Sequence, residues 1–242
     1  MADPTSPGRM ERVNPSASSP DPRQGAFWRA TTVVYWYVVV EGCFLLAAAP
    51  GFAGILLLER DASNIPLYAL CLLPLGPAFS AAVSTMAARM TAEEPNVWPR
   101  FWRAYARNLG DVLWVWVPAL AIATVLGTTV AFGAAAGVDL FFTGAAIVLL
   151  VVVALWASHA LMIASFFRFR ARDIARLALY YLAAKPLVTL GSASYLVLAT
   201  AVVAFGSDWM LALTAVVFAA FAGANARPMV ADVTQRFTAD DG

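Results

Sequence analysis

Two ionisable side chains sit in stretches that otherwise hold no charge: Glu41 in "VVVEGCFLL" and His159 in "LWASHALMI". A carboxyl and an imidazole placed within reach of each other could hold and pass a proton, and ionisable groups in apolar surroundings are costly enough to be functional candidates. Counting along helices at about 1.5 Å per residue, Glu41 lies roughly 18 Å past Arg29 and His159 roughly 12 Å before Phe167. Their depths differ by about one helical turn, so a Glu41 to His159 hydrogen bond is open to them if their helices are neighbours. The plainer alternative is a protonated Glu41 and a neutral His159 bonded across helices. A Ser, His and acid set could be assembled from Ser158 or Ser165, His159 and Glu41, but serines so placed on the histidine's own helix point away from it.

A third feature is "CLLPLGPAFSAA", from Cys71 to Ala82. Pro74 and Pro77 each remove a backbone donor and clash with the preceding turn, so a helix here should kink or open near Gly76. Carbonyls freed near Leu70 and Leu73 could line a polar site, as broken helices do in transporters; otherwise the kink serves packing, with Ala78, Ser80, Ala81, Ala82 and Ser84 letting another helix approach. Other chemistry has no residues to run on. With one histidine, and with Cys43 and Cys71 apart in apolar runs, no histidine-based metal cluster is expected, and neither is a cofactor. Phosphate-binding glycine loops, GxSxG and HExxH are all missing from the chain, so no enzymatic activity and no catalytic residue is expected.

The elements that must carry these residues follow from composition. Of 242 residues, 61% are hydrophobic and 13% charged, which is the balance of a membrane protein and leaves nucleic acid an unsuitable partner. Six segments are long enough for the roughly twenty residues a crossing needs: about 29–49, 66–88, 111–132, 141–165, 186–205 and 208–225. The expected fold class is therefore all-α, a polytopic helical membrane protein. Pro50 and Gly51 should break or kink the first span. Residues 1–26, rich in Pro, Ser, Asp and Arg, read as a disordered tail, residues 27–226 as one transmembrane domain and residues 227–242 as a second tail.

Charge gives the orientation. Fifteen of the sixteen basic residues fall in the tails or in the connections on their side, and only Arg60 falls opposite. Under the positive-inside rule both termini are cytoplasmic, and the arginine-rich composition suggests a bacterial plasma membrane. One phrase recurs on that side: "FWRA" at Phe27 and again at Phe101, with a relaxed copy, "FFRFRARD", from Phe166. On a helical wheel Arg100, Arg103 and Arg107 lie opposite Phe101, Trp102, Tyr105 and Leu109, and Arg168, Arg172 and Arg176 lie opposite Phe167, Ala171, Ile174 and Leu177, with Arg170 on the apolar side. The pattern suits short interfacial helices before spans three and five, part of a hairpin repeated three times or of a shared interfacial environment. These arginines, with Asn108, are candidate contacts for a partner or for lipid.

From Leu72 to Pro118 the chain resembles the YesL-like family of bacterial membrane proteins of unknown function. The resemblance rests on Gly76, Pro77 and Ala78 in an early span, then a basic loop, then Phe101, Trp102 and Asn108 leading into the next span. Family members are commonly encoded beside carbohydrate ABC-transporter components, so the resemblance implies a role tied to sugar uptake and supplies no catalytic residues. The expected function is that of a non-enzymatic accessory or scaffold protein whose partners are the bilayer and a permease or ATPase subunit of such a transporter. The alternative is a small secondary transporter or channel built on Glu41 and His159. Neither substrate nor oligomeric state follows from these residues.

Overall fold

The computed structural model describes residues 26–89, 96–205 and 208–237, and every regular element among them is helical. The tail expected over 1–26 lies, apart from Ala26, outside the described residues, as do the side chains of the first "FWR". The chain divides into two compact units, Met1–Tyr35 and Trp36–Gly242. Of the first, the described residues are the opening turns of α1 (Ala26–Leu57). The packing described below belongs to the second.

Five helices are long and apolar enough to cross a bilayer: α1, α4 (Val97–Phe132), α5 (Leu140–Phe166), α7 (Pro186–Phe205) and α9 (Ala215–Phe237). A sixth crossing is available if α2 (Ile65–Cys71) and α3 (Leu75–Ala88), which meet at 46°, form one bent span. Two shorter helices complete the set, α6 (Ala171–Ala184) and α8 (Asp208–Ala212). The protein is thus a multi-pass membrane protein of the helical class. Large apolar side chains such as Val148, Leu187 and Val197 are exposed, which suits a surface facing lipid and not water.

Several boundaries differ from those expected, each for a physical reason. Pro50 does not end the first helix, which runs on to Leu57. A proline removes one helical bond, and the turns on either side keep the rest. Gly51 answers for the position instead: a Cβ there would collide with the Cys71 carbonyl, so the glycine lets α1 lie directly against the end of α2.

The interfacial helix expected before span three is not separate. It and the span form the single 36-residue α4, about 54 Å long against about 30 Å of hydrocarbon. The one before span five does exist as α6, set off by the extended residues Phe167 and Arg170 and by Pro186, which opens α7. Arg168 and Arg170 precede α6, so the wheel holds there only for Arg172 and Arg176, both exposed opposite buried Ile174, Ala178 and Tyr181. The second and third aromatic-arginine phrases therefore occupy different backbone settings, a helix interior and an extended link.

At the carboxyl end, the span expected over 208–225 is split: α8 stops at Ala212 and α9 starts at Ala215. The tail expected from residue 227 is, as far as Phe237, the last turns of α9. Ala219, Ala222, Ala226, Met229 and Val233 are all buried at the i, i+3, i+4 spacing of one helix face, and that stripe runs straight past Arg227 and Pro228.

The break between α2 and α3 falls at Leu72–Pro74, just before Gly76, which sits in the first turn of α3. Leu70 O accepts from Leu73 N at 3.1 Å, so it is satisfied inside the break. The Leu72 carbonyl accepts from Leu75 N at 3.2 Å within the break and also reaches outward, where the indole Nε1 of Trp116 donates to it at 2.9 Å. Gly76 makes room for that ring: a Cβ at Gly76 would lie 2.7 Å from the indole. Gly76→Leu is expected to destabilise the protein by about 1–3 kcal/mol through this overpacking, seen as a lower unfolding midpoint in mild detergent. Gly110→Ala, where a Cβ meets nothing within 4 Å, should leave the midpoint unchanged or raise it.

Candidate functional site

The face that α4 turns to the other helices carries Val97, Phe101, Ala104, Asn108, Val112 and Val115, all buried. Asn108 is 4% exposed and Phe101 is fully enclosed. Trp102 and Tyr105 flank that face, partly buried, and pack edge to face with each other at 5.7 Å. The apolar side expected to face lipid is therefore partly an inward side, because helices α3 and α5 cover it.

Asn108 joins three helices. Its Nδ2 donates to Ser80 Oγ on α3 at 3.3 Å and to the Ser165 carbonyl on α5 at 3.4 Å, and its Oδ1 accepts from Arg107 Nε at 3.2 Å. Ser165 Oγ in turn lies 2.8 Å from Ser80 Oγ and 2.6 Å from the Leu161 carbonyl. A buried amide must find partners or lose its solvation outright, and here both of its ends are used. Asn108 was grouped above with the arginines as a contact residue; its burial removes it from that surface and makes it a helix joint.

Glu41 and His159 have separate partners. Glu41 Oε2 accepts from the backbone N–H of Val216 at 3.0 Å, at the start of α9. That is where unpaired amides and the helix dipole favour an acidic group. Its other oxygen, Oε1, is buried without a hydrogen-bond partner among the described residues. His159, 1% exposed, has Nδ1 2.9 Å from the Leu155 carbonyl and Nε2 3.3 Å from Thr189 Oγ1 on α7. The coupled pair is replaced by two joints, α1 to α9 and α5 to α7. Ser158 bonds Tyr195 and Ser165 bonds Ser80, so neither serine is paired with the histidine. Among the described residues, no three His, Cys, Asp or Glu side chains gather as a metal site would require.

Other joints were not singled out in the sequence. Asn225 Nδ2 donates to the Val188 carbonyl at 2.8 Å, and Gly191 is needed because a Cβ would collide with that amide. Trp156 Nε1 donates to the Ala175 carbonyl at 3.0 Å and holds α6 against α5. Asp232, on the last turns of α9, accepts from Tyr181 Oη at 2.7 Å and pairs with Lys185 at 3.3 Å and Arg236 at 2.9 Å. Burial, reinforced by the Asp232 bond, pushes the Tyr181 phenol well above its ordinary pKa. An Asn in an apolar run was a readable signal for Asn225. Asp232 gave none, because it looked like one charge in a polar tail.

Two larger features remain. At the basic end, Arg103, Arg107, Arg168, Arg170, Arg172 and Arg176 are exposed and Arg100 is partly so. Within the second unit lies a cavity of about 900 Å³, walled mainly by apolar side chains, whose lining includes Gly76 and Trp116, the buried Ser158 and Tyr195, and the exposed Arg60 and Asp61. Asp61 accepts from the Ser63 N–H at 2.8 Å, and hydrogen bonding from Ser63, first through its hydroxyl and then through its N–H, keeps the carboxyl below the usual range.

Two measurements test the joints. A double-mutant cycle of Ser80→Ala and Asn108→Ala should give a coupling of about 0.6–1.7 kcal/mol, the range of interhelical bonds in membranes. Glu41→Ala, which leaves Val216 N–H without its acceptor, should cost about 0.5–2 kcal/mol as a lost N-terminal cap does. Glu41→Gln, retaining an acceptor oxygen, should recover most of that loss in the same unfolding assay.

Residues 27–129 match the family described as "Protein of unknown function, DUF624". No curated protein and no solved structure matches the chain. The matched stretch takes in α1, the broken α2–α3 pair and most of α4, with Gly76, Asn108 and Trp116 inside it, and it places this part of the chain with an uncharacterised family.

Proposed function

We propose that this integral membrane protein is a non-enzymatic accessory or scaffold subunit, seated in a bacterial plasma membrane with both termini in the cytoplasm. Its arginine-rich end would contact a permease or ATPase subunit of a carbohydrate ABC transporter. The observation that carries the reading is the cluster of six exposed arginines on α4, the α5–α6 link and α6. A guanidinium presents a rigid fork of donors suited to carboxylates on a partner surface, and α4 projects beyond the hydrocarbon thickness on that side. The link to sugar uptake comes from the YesL-like resemblance of residues 72–118. Favouring a scaffold over a transporter is the use made of the polar groups within the spans: Asn108, His159 and Asn225 are bonded across helices, and Glu41 is bonded to Val216.

The test is affinity capture of the tagged full chain from its native membrane after mild crosslinking. Transporter subunits should be recovered with the natural chain and reduced about tenfold by Arg103→Glu with Arg107→Glu, or by Arg172→Glu with Arg176→Glu. Arg→Lys replacements at the same positions separate two origins of that loss. Basic side chains that serve only anionic lipid contribute about 1 kcal/mol each by charge alone and would be replaced by lysine without effect, whereas forked pairing to a protein would weaken. Capture that brings down no transporter subunit, or that is indifferent to charge reversal, overturns the proposal.

A further inference from the structure

The apolar cavity carries an inference independent of the arginine-rich end. Along α5 its wall runs from Leu150 to Met162, about 18 Å at 1.5 Å per residue. That compares with about 15 Å for one leaflet, half of the ~30 Å hydrocarbon layer. Its volume of about 900 Å³ is at the upper end of the roughly 300–1,000 Å³ of small-molecule sites.

The cavity is partly open and not an enclosed void, and an apolar lining with nothing against it forfeits its contacts. Water does not fill such a space well, because each water needs two to four polar partners. Away from Arg60, Asp61 and Tyr68, the polar groups on the wall are already engaged: Ser158 with Tyr195, and Trp116 Nε1 with Leu72 O. What remains is hydrocarbon, and in the layer this cavity occupies the hydrocarbon at hand is the acyl chain of membrane lipid. Alanines on three helices, Ala119, Ala157 and Ala199, leave the width for it.

The lining is not uniform, as an amphiphile requires. Ser158 and Tyr195 are buried on the wall, which continues past Ser158 to Met162, while Arg60 and Asp61, one cation and one anion, are exposed and line it with half-buried Tyr68. A phosphate beside a guanidinium makes a charge-assisted pair, and the neighbouring carboxylate suits the ammonium of a zwitterionic headgroup. We propose that the cavity binds a membrane phospholipid, one acyl chain running from Arg60 and Asp61 toward Ser158 and Tyr195, with the phosphate at Arg60.

The full chain, extracted with its surrounding lipid and supplied with a phospholipid carrying a photoreactive diazirine on its acyl chain, provides the test. Peptide mapping should place label on cavity residues of α5 and α7, around Ala157 and Ala199, besides the expected label at the exposed Val148 and Val151. Ala157→Phe and Ala199→Phe, which fill the space from different helices, should each reduce cavity labelling about tenfold and leave Val148 and Val151 labelled as before. Arg60→Glu, at an exposed position, should reduce it several-fold. Label confined to Val148 and Val151, or cavity label that none of the three variants reduces, overturns the proposal. So does a native mass in which a second copy of the chain is bound and no lipid is retained.

Discussion

A backbone carbonyl surrounded by hydrocarbon has to be given donors, and at the α2–α3 break the Leu72 carbonyl takes two, the Leu75 N–H of its own turn and an indole. Ending α2 and restarting α3 at 46° within a few residues exposes the Leu72 carbonyl to apolar surroundings. Unsatisfied groups there cost several kcal/mol. Leu75 N–H meets part of the need, and Trp116 adds a second bond from α4 because Gly76 has no side chain where the ring lies. The same indole then forms part of the cavity wall. The bend, the approach of α4 to α3 and the shape of the cavity are therefore consequences of one hydrogen bond and one missing methyl group.

Several other polar groups act in the same way at other crossings. Asn108 with Ser80 and Ser165, His159 with Thr189, Asn225 with Val188, and Glu41 with Val216 each fasten one helix to another. In lipid the apolar surface of a helix is no worse off against acyl chains than against another helix, so close packing and such bonds must supply the association. The small residues along α3 and α9 supply the first; Ala78, Ala81, Ala82, Ala219 and Ala222 are all buried. The scattered amides, hydroxyls and single imidazole supply the second.

Much of this could be read from the residues, and the rest could not for definable reasons. The helical class, the broken span and the importance of Gly76 follow from hydropathy and proline chemistry, which act locally. Carbonyls were expected to be freed near Leu70 and Leu73; that of Leu70 is used inside the break and that of Leu72, between them, is the one the indole reaches, because the turn inside the break decides which groups it uses for itself. Glu41 and His159 were recognisable as buried polar groups, but depth along a helix fixes only one of the coordinates that decide pairing. Their azimuths assign Glu41 to α9 and His159 to α7. The last turns of α9 were missed because Arg227, Pro228 and Asp232 lower the hydropathy of a segment whose inward face, through Met229 and Val233, stays apolar. Periodicity was present there and average composition concealed it.

The stretch of α4 from Val97 to Trp116 lies ahead of Pro118, where a helix can kink, and moves as one piece. Asn108 clasps it to α3 and α5 at one point, and Trp116 stands eight residues farther along. The helix is a lever with its fulcrum at Asn108: a tilt of about 5° imposed on the projecting arginine end swings Trp116 by roughly 1 Å over its ~12 Å arm. Trp116 has no slack against Gly76, so the motion is borne by the α2–α3 bend. Mechanical load applied at one surface of the membrane would be delivered, by rigid geometry alone, to the wall of a chamber that opens toward the other.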